Sequence, residues 1–151
     1  MGVGCVQPSP PPARPTIEPE WPAAWRIEAQ GVLAEAGSIV SLWNQYADFR
    51  LGTAQPPTPT QWLEGTQRAN DLLARATRFH ETIANSPIAS DTWRQRRDLA
   101  AESQRLVELC TAIVAYRTEA DRLAPGGDGT RALGYLETAR ALLDRAKADW
   151  A

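Results

Sequence analysis

Few residues in this chain could carry chemistry. There is one histidine, His80, two cysteines, Cys5 and Cys110, and a glycine-rich turn in which Gly126, Gly127 and Gly129 surround Asp128. A di-iron carboxylate centre in a helical bundle takes a Glu-x-x-His from each of two helices. Thr77 stands three residues before His80, and no second histidine exists to complete the pair. Covalent haem attachment needs Cys-x-x-Cys-His, which is absent, and the only methionine is Met1. A zinc centre would have to unite His80 and Cys110 with carboxylates from other helices, and nothing in their spacing favours that. The sequence predicts no cofactor and no metal.

Nucleophilic catalysis fares no better. His80 follows Phe79 at the edge of an apolar stripe, the place of a half-buried histidine satisfied by a carboxylate or water. No strand-turn-helix nucleophile elbow accompanies it. Cys110 falls beside an apolar stripe, where a buried, inert thiol is expected. The glycines around Asp128 lack the lysine and preceding strand of a phosphate-binding loop, so they read as a turn and helix cap. We therefore expect a non-enzyme.

The elements are clearer. The chain has 151 residues, 43% hydrophobic and 23% charged, with a net charge of -2. It is long enough to bury a core, and it lacks the cationic surface that phosphate-backbone binding requires, so no nucleic-acid partner is expected. Between Ser90 and Ala124, Leu99, Leu106, Ile113 and Ala120 repeat every seven residues, with Leu109, Tyr116 and Leu123 alongside, predicting one long central helix capped by Ser90 or Asp91. A first helix is predicted from Trp21 to Leu51 and stopped by Gly52. A second follows a capping box, with Thr58 as cap, Pro59 in the first position and Gln61 two residues further on. A fourth starts near Asp128 or Thr130 and carries Ala132, Leu136, Ala139, Leu143, Ala146 and Trp150. Short links make consecutive helices antiparallel, giving an all-α, up-down-up-down four-helix bundle over residues 21–151, with the first three helices about 40 to 50 Å long.

Residues 1–20 read differently. Six prolines, from Pro8 to Pro19, bias this stretch toward extended conformation, so a disordered, proline-rich tether is expected. Small residues, Gly2, Val3 and Gly4, precede Cys5, and a polar, proline-rich spacer follows it. That arrangement resembles the lipobox of bacterial lipoproteins, which implies lipidation of the Cys5 thiol and placement on the cell envelope. Gly2 stands where that pattern favours an aliphatic residue, and the charged and apolar regions of such a signal do not precede it here. Without lipidation the expected location is cytoplasmic.

Antiparallel packing would bring Trp21, Trp25, Trp93 and Trp150 to one end of the bundle with His80, and Trp43 and Trp62 to the other. Arg94, Arg96 and Arg97 fall at the first end. Tryptophans plug bundle ends; the sharper expectation is an interaction face made by Trp21, Trp25, Trp93, Arg94, Arg97 and Trp150. The function expected is that of an interaction or scaffold protein whose bundle binds a protein partner, with the lipobox resemblance implying an anchor to an envelope through Cys5. The alternative is a helical subunit of a homo- or hetero-oligomeric assembly that needs no anchor.

Overall fold

The computed structural model describes residues 21–87 and 97–151. Four helices fill these residues, α1 (Ala23–Arg50), α2 (Pro59–Ala84), α3 (Leu99–Arg122) and α4 (Thr130–Asp149), and no strand occurs among them. They form an antiparallel four-helix bundle. The ion pairs Arg75–Glu28 and Arg68–Glu35 show the first antiparallel step, since seven residues down α2 correspond to seven up α1. Trp62 and His80 of α2 bond Asp121 and Ser103 of α3 in the same reversed order. Helices α1 and α3 come close across the short diagonal, whereas the backbones of α2 and α4 make no close approach.

Local signals fix most of the helix ends. Thr58 Oγ1 accepts the Gln61 N–H at 3.1 Å while Gln61 Oε1 accepts the Thr58 N–H at 2.9 Å, the reciprocal capping box expected there. At the end of α1, Gly52 adopts φ +80°, and the N–H groups of Gly52 and Thr53 bond back to Phe49 and Asp48. This is a Schellman close, which needs a residue tolerant of left-handed backbone. At α4, Asp128 Oδ1 accepts both the N–H and the hydroxyl of Thr130.

The central helix departs from expectation at its start. It begins at Leu99, not at Ser90 or Asp91, which lie outside the described residues. Asp98 is its cap: extended at φ -98°, ψ 91°, it accepts the Ala101 N–H at 3.0 Å and so satisfies one of the first-turn donors. With 24 residues, α3 is about 36 Å long, and α1 and α2 about 42 and 39 Å.

The expected seam is the core. Leu99, Leu106, Leu109, Cys110, Ile113, Tyr116 and Ala120 are all buried, as are Ala132, Leu136, Ala139, Leu143 and Ala146 of α4. From α1 come Ala29, Val32, Leu33, Ala36, Ile39, Val40, Trp43 and Ala47. Alanines and Gly65 alternate with large residues, so helices approach closely where side chains are short. Any Cβ on Gly65 would fall 2.5 Å from Leu42 Cδ2 and 3.1 Å from the Trp43 ring.

Candidate functional site

At the end where α1 begins and α4 stops, a tryptophan and charge cluster assembles. The Trp21 and Trp150 rings meet edge to face with centroids 6.0 Å apart, and Phe79 reaches Trp150 at 5.7 Å. The Arg97 guanidinium lies 5.2 Å from the Trp21 ring and 5.1 Å from that of Trp150, and Arg26 lies 5.0 Å from Trp21. Such stacking retains a cation over the electron-rich ring faces. Arg97 also donates to Glu102 at 2.9 Å and to the Asp149 carbonyl at 2.6 Å, and Arg105 donates to Asp149 Oδ2 at 3.1 Å. One arginine thus ties the start of α3 to the end of α4.

The predicted face is therefore partly assembled. Trp21, Arg97 and Trp150 come together, and Trp25 packs against the core at the same end. Trp93, Arg94 and Cys5 lie outside the described residues. Trp150 is 0% exposed, so it fills the end of the bundle and offers no surface of its own. Its large ring, in contact with Phe79, Trp21 and Arg97, is the reason.

Glu102, Ser103 and Arg117 are buried polar residues that the apolar pattern of the sequence does not mark. Glu102 lies on the same face as Leu99 and Leu106, three and four residues away, which is the signal that could have found it. Desolvation pushes its carboxyl above the ordinary range, and the Arg97 hydrogen bonds offset part of that. His80 Nδ1 lies 2.7 Å from Ser103 Oγ, and that hydroxyl also donates to the Ala100 carbonyl. Since Ser103 is fully buried, the pair fastens α2 to α3 where a substrate could not reach the hydroxyl. Burial pushes the Cys110 thiol up to about 12. No group of three or more His, Cys, Asp and Glu able to hold a metal ion occurs among the described residues.

The opposite end carries an aromatic ladder. Phe49, Tyr46, Trp62, Trp43 and Tyr116 follow one another with centroid separations of 6.0, 4.3, 5.0 and 5.9 Å. Arg117 closes it from α3, its guanidinium 3.9 Å from the Trp62 ring, donating to Thr66 Oγ1 and ion-paired with Asp121. The inner members are core, but the ladder runs outward. Phe49 is exposed, and Leu51 and Leu63 are 69% and 59% exposed. Leu63 falls outside the helical spacing of Trp62, Ala69, Leu72, Ala76, Phe79 and Ile83, so its exposure is legible in principle.

Beside that end, Ala47, Tyr116, Leu123, Ala132 and Leu133 floor a cleft of about 210 Å³, with Arg50, Leu51, Asp128 and Thr130 also lining it. None of the described helices is long and apolar enough to cross a membrane. The class that fold and sites define is a four-helix bundle with two aromatic ends. No protein-family model, curated protein or solved structure matches the chain.

Proposed function

We propose that this chain is a non-enzymatic interaction or scaffold protein whose bundle binds a protein partner at the end carrying the aromatic ladder. The observation that supports this reading is the outward run from Trp62 and Tyr46 to Phe49, Leu51 and Leu63, which groups three of the four exposed large hydrophobic residues among the described residues; the fourth, Ile27, stands alone near the start of α1. Scattered apolar residues are ordinary on protein surfaces, but aromatic residues grouped with aliphatic ones at one end are the composition of interface centres. The partner would present a complementary apolar face, while Asp48, Glu64 and Asp121 nearby would set its orientation.

A photo-crosslinking residue placed at Leu63 in the native host tests this. A single adduct with a different protein, lost on Phe49→Glu substitution, is the expected result. An adduct with a second copy of this chain would instead favour a self-assembling helical subunit, and no adduct would remove the interface. In the same reading Cys5 carries a lipid that holds the bundle at a bacterial envelope. The mass of the native N-terminal peptide tests that part: an acylated Cys5 supports it, and an unmodified thiol removes it.

A further inference from the structure

The cleft at the α3–α4 turn has a composition that the partner reading does not use. Its floor is apolar, with Ala47, Tyr116 and Ala132 buried and Leu123 and Leu133 partly so. Two opposite charges also line it, Arg50 from the last turn of α1 and Asp128 from the turn before α4. Arg50 Nη2 donates to the Gly127 carbonyl at 3.1 Å, which fixes the guanidinium against the turn. Among the described residues its Nε and Nη1 carry no hydrogen bond, so N–H donors remain for a carboxylate. Asp128 spends Oδ1 on Thr130, at 2.9 Å from its N–H and 2.6 Å from its hydroxyl. Those donors hold the carboxyl below its usual range and leave Oδ2 as an anionic acceptor.

At about 210 Å³ the cleft falls below the roughly 300 to 1,000 Å³ of sites for drug-sized ligands, so its occupant has few heavy atoms. A simple fatty acid would satisfy Arg50 but set its carboxylate beside that of Asp128. A simple amine would do the reverse. One small class meets floor and both charges together.

We propose that this cleft binds a free amino acid with an apolar side chain, its carboxylate on Arg50, its ammonium on Asp128 and its side chain on the Tyr116, Leu123 and Leu133 floor. The cleft shares Leu51 and Tyr116 with the aromatic end, but the protein-partner reading does not use Arg50 or Asp128, and the two tests separate the readings.

Titration calorimetry of the full chain with L-leucine tests it, with N-acetyl-L-leucine and L-leucinamide as probes that each lack one charge. Saturable binding of leucine with a millimolar or lower dissociation constant is expected, weakened at least about tenfold by either cap, equivalent to about 1.4 kcal/mol. Arg50→Gln and Asp128→Asn should each weaken leucine binding to a similar degree. Asp128→Asn keeps the Oδ1 acceptor for Thr130 at an exposed position, so it reads the charge without disturbing the fold. No saturable binding up to about 10 mM overturns the proposal. So does equal binding of N-acetyl-L-leucine, or wild-type affinity in Asp128→Asn.

Discussion

Trp43 Nε1 donates to the carbonyl oxygen of Ile113 at 3.0 Å, joining α1 to α3 toward the end that carries the aromatic ladder. Both residues are 0% exposed. The bond satisfies an indole N–H that burial would otherwise leave unpaired, at a cost of about 1 to 3 kcal/mol. Ile113→Asp should lose about 3 to 5 kcal/mol, because it puts an unpaired carboxylate into the seam. Trp43→Phe should lose about 1 to 3 kcal/mol through the missing bond and the void left by the smaller ring. Urea denaturation measures both, and a near-neutral Ile113→Asp would move the core away from this seam.

Glycines on the helices should respond in opposite directions. At Gly65 a methyl group meets Leu42 and the immobile, buried Trp43 ring, so Gly65→Ala should destabilise by about 1 to 2 kcal/mol despite alanine's better helix propensity. At Gly37 nothing lies within 4 Å of the added carbon. Gly37→Ala should therefore stabilise by about 0.5 to 1 kcal/mol. Thermal melts of the two variants side by side check the pair. Equal signs would contradict the close α1–α2 approach at Gly65.

These sites also show what the sequence made legible. Leu99, Leu106 and Ile113 recur every seven residues, and the Thr58–Gln61 box is a local pattern, so seam and cap could be read without a partner in view. The start of α3 is not legible, because Ser90, Asp91 and Asp98 are all chemically able caps and backbone conformation selects Asp98. The tail-end tryptophan cluster followed from antiparallel order alone. What could not be read was the matching of buried polar groups across helices: Ser103 needs His80, and Arg117 needs Thr66 and Trp62, all supplied by α2, while Glu102 takes its partner Arg97 from five residues earlier in the chain. The Arg50–Asp128 cleft is of the same kind, since it joins residues from the end of α1 and the turn after α3.

Cys110 should behave as a core atom. With its thiol pushed up to about 12, the thiolate fraction at pH 8 is on the order of one in ten thousand, and the sulfur is also fully buried. In a Cys5→Ser background, a disulfide reagent added to native protein should label Cys110 only as fast as the bundle opens. In concentrated guanidinium the same thiol should react at once. A fast native phase would mean that α3 exposes this face.

Glu102 sets the expected pH response of the tail end. Burial raises its carboxyl in the folded state, even with Arg97 donating to it, so the folded protein holds this proton more tightly than the unfolded chain does. Its contribution is therefore fully present below the ordinary glutamate value of 4.5. As pH rises from there through the raised folded value, the unfolded chain has already released its proton and the native state must follow at a cost, so stability falls across that window. Glu102→Gln keeps an acceptor for Arg97 without the titration, and its stability relative to wild type should climb over the same interval. Denaturation midpoints for the two proteins, taken at steps from pH 4 upward, give the difference curve. A flat curve would mean that Glu102 is solvated. A curve of opposite slope would mean that the Arg97 ion pair outweighs the desolvation, and the clasp between α3 and α4 would then be held by charge attraction more than by packing against Trp21 and Trp150.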